Sequence, residues 1–123
     1  MAKFKVSVIR GFSAAHALRG YKGKCERLHG HNWKVKAVLA GTKLNNIGML
    51  VDFTDIRAML DEAIAPLDHC YLNETSPFNK INPTAENIAE HILTKLSKVL
   101  PKGITVSEIE VWESDTSSAV AAR

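Results

Sequence analysis

Asn32-Trp33-Lys34-Val35-Lys36-Ala37-Val38-Leu39-Ala40 decides the fold class. Trp33, Val35, Ala37 and Leu39 alternate with Lys34 and Lys36, so the stretch reads as an antiparallel-type strand with one wetter face. Upstream, Phe4, Val6 and Val8 alternate with Lys5, Ser7 and Ile9, which predicts another strand running to about Arg10. The polar stretch between them has Gly20-Tyr21-Lys22-Gly23-Lys24 as its loop, and Gly41 to Gly48 reads as a turn. The period changes after Asp52. Phe53, Ile56, Met59, Leu60, Ala63, Ile64 and Leu67 recur at three and four residues, one face of a helix with Thr54 as its expected N-cap and Pro66 as its stop. Pro77 and Pro83 bracket a further loop. Thr84 then opens a longer helix with Glu86 in its first turn and Ile88, Ile92, Leu96 and Val99 along one side; Pro101-Lys102-Gly103 ends it. Strands over Thr105 to Glu113 and Ser118 to Ala122 complete the chain. The order β-β-α-α-β-β predicts an α+β fold, an antiparallel sheet with both helices on one face. Its open edge strands suggest association between subunits.

The 123 residues show no linker and no internal repeat, so 1–123 reads as a single domain. Hydrophobic residues at 46% and charged residues at 24% exclude a disordered chain, a collagen-like repeat and a coiled-coil rod. A net charge of +3 is a mild bias toward anionic partners, well short of nucleic-acid binding. No apolar run approaches the roughly 18 residues of a membrane span, and the N-terminus lacks a signal-peptide core. A cytoplasmic protein with no nucleic-acid or membrane partner is expected. In that reducing setting Cys25 and Cys70 are not expected to form a disulfide.

The chemistry starts at His29-Gly30-His31. In extended backbone, residues two apart share a face, so both imidazoles converge, and Gly30 lets the backbone approach closely. His16, near the end of the first strand, is the natural third ligand of a three-histidine zinc site with one open position. Cys25 reads either as a fourth zinc ligand or as a free thiolate beside an open site, with Arg27 lowering its pKa. Cys70, next to His69, reads as buried, inert packing. Asp68 can orient the His69 imidazole for acid–base work, which requires a loop because strand neighbours point apart. Glu113 shares a face with Ile109 and Val111; a carboxylate there needs a partner, for which a ligand edge with two N–H donors is a candidate. His91 is assigned no role.

Phe12-Ser13-Ala14-Ala15-His16, Cys25-x-x-x-His29-Gly30-His31, Asp52-Phe53, Leu67-Asp68-His69-x-x-Leu72-Asn73, Pro83-Thr84-Ala85-Glu86-Asn87 and Glu113 occur together in one order. In this the chain resembles the 6-pyruvoyl-tetrahydropterin synthase family, and within it the bacterial, carboxy-forming branch of the queuosine pathway. The resemblance implies the tunnelling fold (T-fold), with subunits joined into trimeric barrels that stack as a homohexamer and active sites between subunits. It implies one zinc per subunit on His16, His29 and His31, with Cys25, Asp68 and His69 as the catalytic set. Glu113 is implied as the pterin anchor, with Thr84 and Glu86 nearby. The implied substrate is a small molecule, 7,8-dihydroneopterin triphosphate, converted to 6-carboxy-tetrahydropterin with loss of acetaldehyde and triphosphate. Relatives with a folate-type aldol cleavage carry glutamate in place of the cysteine, or just before His-Gly-His; here those positions are Cys25 and Leu28. The alternatives are triphosphate elimination alone, giving the 6-pyruvoyl product, and a non-catalytic zinc- or pterin-binding protein.

Overall fold

The computed structural model describes residues 3–21, 23 and 27–123. Two long strands, β1 (Phe4–His16) and β2 (His29–Gly41), pair antiparallel without interruption, from Phe4 opposite Gly41 to His16 opposite His29. β1 thus continues past Arg10. Gly11 and the small residues Ser13, Ala14 and Ala15 carry too little hydrophobic contrast to show a period of two, but β2 supplies their hydrogen-bond partners.

Helix α1 spans Phe53–Ile64, and a short strand β3 (Cys70–Tyr71) follows a 3₁₀ turn at Ala65–Leu67. Helix α2 spans Ala85–Ser97, and β4 (Thr105–Ser114) and β5 (Ser117–Ala122) close the chain. The sheet order is β3-β1-β2-β4-β5. β3 runs parallel to β1, so the sheet is mixed rather than wholly antiparallel. Two residues cannot display an alternation; this strand exists because β1 offers it an edge.

Ile56, Leu60 and Ile64 of α1 and Ile88, Ile92 and Leu96 of α2 are buried against Val8, Phe12, Val35, Ala37, Leu39, Ile109 and Val111. Each fully buried side chain of this size contributes roughly 1.5–3 kcal/mol. The expected one-sided helix layer is what forms. On the opposite face Lys34 reaches over the Trp112 ring, its ammonium 4.3 Å from the centroid.

Two helix ends differ from expectation. The α1 cap is Asp52, whose carboxylate accepts from the Thr54 backbone N–H at 2.8 Å, while Thr54 lies inside the first turn. Both residue types cap well, and the extended backbone at Asp52 breaks the tie. α2 starts where read, the Thr84 hydroxyl accepting from Asn87 N–H, but ends at Ser97, ahead of Pro101. Val99 is consequently 58% exposed instead of lining the apolar side. No helix among the described residues is long and apolar enough to cross a membrane.

Replacing Asp52 by Ala should lower stability by about 1 kcal/mol, whereas Thr54→Ala should cost less than about 0.5 kcal/mol. Unfolding midpoints at a fixed protein concentration check the difference.

Candidate metal centre

The inward row of β2 runs Leu39, Ala37, Val35, Trp33 and then His31 and His29; that of β1 runs Val8, Phe12, Ala14 and then His16. The apolar core therefore ends in three imidazoles. Register sets His16 opposite His29 and the small Ala14 opposite His31, leaving room for all three rings, whose centroids lie 4.5, 5.1 and 4.7 Å apart. Trp33 forms the floor, 4.9 Å from the His16 ring and 5.3 Å from the His31 ring. Its indole N–H donates to the Ala14 carbonyl at 3.2 Å.

Glu113, near the end of β4, faces the same way as Ile109 and Val111. Its Oε1 lies 2.8 Å from His31 Nε2, 3.6 Å from His16 Nε2 and 3.9 Å from His29 Nε2. The four donor atoms all lie within 4.8 Å of one another. The carboxylate on the apolar face finds its partners in the histidine cluster.

Backbone carbonyls orient two of the rings. His16 Nδ1 lies 2.8 Å from the Pro83 oxygen, and His29 Nδ1 lies 2.7 Å from the Arg27 oxygen. A carbonyl can only accept, so Nδ1 carries the proton and the Nε2 lone pair is left facing the cluster. His16 Nε2 and His31 Nε2 are buried and make no hydrogen bond of acceptable geometry. Burial also pushes the pKa of both residues below the ordinary imidazole range, with Glu113 opposing it, which favours the neutral form that ligates. Orphaned, neutral, convergent imidazole nitrogens fit a divalent metal ion. Gly30 plays a different part from the one expected. A Cβ there would meet nothing nearer than the Ala14 oxygen at 3.9 Å, so no close backbone approach requires it.

The segment carrying Pro83 is laced to the chain leaving β1. The Asn73 amide pairs with both backbone groups of Ala17, at 2.9 and 2.8 Å, and the Asn82 amide with both of Arg19, at 3.0 and 2.9 Å. The Arg19 guanidinium donates to the carbonyls of Asn73, Phe78 and Ile81. These side chains imitate a strand partner, and they fix the carbonyl that aims His16.

Asp68 and His69 sit in the turn before β3. His69 adopts φ +57°, a left-handed conformation that costs a non-glycine residue of order 1 kcal/mol or more. It is held there by its N–H donating to the Ser13 carbonyl, while Ser13 N–H donates to Asp68 Oδ1 at 3.0 Å. The turn brings His69 Nδ1 to 2.9 Å from Asp68 Oδ1. The Ser13 N–H, then the His69 ring, hold the Asp68 carboxyl below its usual range. The His69 side chain is 82% exposed and lies outside the four-donor cluster. An open depression of about 510 Å³ has both His31 and His69 in its wall, with Gly30 and Ala15 between. Cys70 lines it too, half-buried rather than buried, its thiol 3.3 Å from the carbonyls of Pro66 and Asp68.

Cys25 lies outside the described residues. Thr84 is the cap of α2, and Glu86 is exposed beside β5; no hydrogen bond among the described residues joins either to the histidines. His91 packs edge-on to Phe78, ring centroids 5.3 Å apart. Sequence reasoning missed Pro83, Arg27 and Ser13 because they act through backbone atoms, which carry no residue signature. It also missed Glu113 as a neighbour of the histidines; the signal available was its position on the inward face.

Purified protein should carry about one divalent ion per chain, released by chelator, and His31→Ala should lose it, because three protein ligands are the minimum for a tight open site. Elemental analysis of both proteins checks this; a fully loaded His31→Ala variant would rule the residue out as a ligand.

Residues 5–123 match the family model described as 6-pyruvoyl tetrahydropterin synthase. The 6-carboxy-5,6,7,8-tetrahydropterin synthase of Synechocystis sp. is 38% identical over 113 residues, covering 88% of this chain and 84% of the relative. Human 6-pyruvoyl tetrahydrobiopterin synthase is 37% identical over 102 residues, covering 80% and 70%. The structure of Caenorhabditis elegans 6-pyruvoyl tetrahydropterin synthase matches with a TM-score of 0.88 at 25% identity, covering all of this chain and 97% of that one. The fold is therefore the tunnelling fold. Three histidines on one sheet face, a carboxylate beside them and a match across nearly the whole sequence agree: the chain belongs to the 6-pyruvoyl tetrahydropterin synthase family, enzymes of the lyase class that act on pterins.

Proposed function

We propose that this enzyme is a zinc-dependent lyase converting 7,8-dihydroneopterin triphosphate and water to 6-carboxy-5,6,7,8-tetrahydropterin, acetaldehyde and triphosphate, a step toward queuosine. The observation that carries the reading is the convergence of the His16, His29 and His31 Nε2 atoms, two of the rings being locked through Nδ1. These three residues would hold the zinc. When bound, it supplies Lewis acidity and a template for the substrate's side-chain hydroxyls.

The protein's own groups do the rest. Cys25, as thiolate, and His69 move protons between the ring and side-chain carbons. Asp68 accepts from His69 Nδ1, which leaves Nε2 free to take or give a proton. Glu113 accepts from the 2-amino and ring N–H groups of the pterin, with Thr84 and Glu86 at the start of α2 as further substrate contacts. The exposure of His69, and the unpaired outer edges of β3 and β5, support an active site completed between subunits of a homohexamer in the cytoplasm.

The second reading is triphosphate elimination alone, giving the 6-pyruvoyl product; near-equal identity to the Synechocystis and human relatives favours keeping it in view. Incubation with 7,8-dihydroneopterin triphosphate and mass spectrometry of the products separates the two. Acetaldehyde with 6-carboxy-tetrahydropterin is expected, and a 6-pyruvoyl product would replace it under the second reading. Cys25→Ala should keep its zinc while turnover falls by about 10²–10⁴-fold. Loss of zinc in that variant would make Cys25 a ligand instead.

A further inference from the structure

His16 is fully buried, and among the described residues its ring makes one hydrogen bond, from Nδ1 to the Pro83 carbonyl at 2.8 Å. The direction of its Nε2 lone pair therefore depends on where that carbonyl stands. Pro83 has no backbone N–H and lies between an irregular segment ending at Asn82 and the start of α2. Arg19 grips that segment. Its guanidinium donates to the carbonyls of Phe78 at 2.8 Å, Asn73 at 3.1 Å and Ile81 at 3.3 Å. Its backbone N–H and carbonyl both pair with the Asn82 amide. Among the described residues Arg19 forms no ion pair with a carboxylate, so the guanidinium is given to backbone. A planar fork of N–H donors can bridge carbonyls spread from residue 73 to residue 81. A lysine ammonium, a point charge, cannot reach them all in one pose. Ring and clamp sit on the same short stretch of chain, residues 16–19.

We propose that Arg19 is a positioning residue of the metal site: by holding the 73–82 segment it fixes the Pro83 carbonyl, and through that carbonyl the tautomer and aim of His16. This rests on the reading of the three histidines as the metal site. A side chain that touches neither ion nor substrate then sets how firmly the ion is held. Without the clamp, the Pro83 oxygen is free to leave Nδ1. The ring can then turn or take the other tautomer, in which Nε2 carries the proton and cannot ligate.

Two measurements on the zinc-loaded full chain test this. Release of zinc to excess chromophoric chelator should be at least about tenfold faster in Arg19→Ala than in the parent, as when a ligating ring loses its outer hydrogen bond. In protein carrying isotope-labelled histidine, the His16 Nδ1–H should exchange with solvent at least about tenfold faster in the same variant. Arg19→Lys keeps the charge and should match Arg19→Ala within about threefold; it also carries the test if the Ala variant does not fold. Asp52→Ala, which weakens the cap of α1, controls for lost stability and should release zinc within about twofold of the parent. Parent-like release and exchange in Arg19→Ala overturn the proposal, because α2 alone would then hold Pro83. Full recovery in Arg19→Lys overturns it too, since charge rather than the bridging geometry would be the cause. Equal acceleration in Asp52→Ala would likewise overturn it, leaving only a general loss of stability. A parent protein that takes up no metal would refute the histidine site instead, and the Nδ1–H exchange would then decide the role of Arg19 by itself.

Discussion

The in-register pairing of β1 with β2 is the constraint on which the rest of the molecule depends. With His16 opposite His29 and Phe12 opposite Trp33, one set of alternating positions supplies both the apolar wall under the helices and the imidazole cluster at its end. A slip of one residue would turn every side chain of one strand to the other face, exposing Trp33 or sending His16 away from its partners. Burial of Trp33, Val35, Ala37 and Leu39 therefore enforces the geometry of the candidate metal centre as well. The site is a continuation of the core, and core stability is what keeps its donors aimed.

Backbone groups carry much of the remaining precision. The carbonyls of Pro83 and Arg27 choose the tautomers of His16 and His29, and both backbone groups of Ser13 hold the Asp68–His69 turn. The strain of the left-handed His69 is offset by those two bonds. Because Ser13, Ala14 and His16 lie on one strand, the histidine cluster and the carboxylate–imidazole pair share a common rigid support. The asparagine ladder of Asn73 and Asn82 extends that support to the loop bearing Pro83.

The two groups of titratable residues differ in direction. The histidine cluster with Glu113 faces inward over Trp33, where burial pushes the pKa of His16 and His31 down. The Asp68–His69 pair faces outward, solvated and joined to the cluster only by the wall of an open depression. That separation keeps the inward donor cluster apart from the solvated carboxylate–imidazole pair. It also explains why the two could share a short chain without neutralising each other.

Alternation along β2 was enough to put His29 and His31 on the face of Trp33, and the same logic put Glu113 on the face of Ile109 and Val111. The motif order pointed to the family, and the Thr84 cap of α2 was readable from its residue type. These are local properties, set by backbone period and side-chain chemistry within a few residues. Which strands lie side by side is not local. Only the tertiary structure decided that β4 flanks β2 opposite β1, and so that Glu113 meets the histidines. It likewise decided that β3 joins β1 in parallel, that His69 turns left-handed, and that Asp52 caps α1 in preference to Thr54. Each of these depends on a partner distant in sequence or on a choice between near-equal residues. Burial and hydrogen bonding across the whole fold settle such choices, and no window of residues contains them.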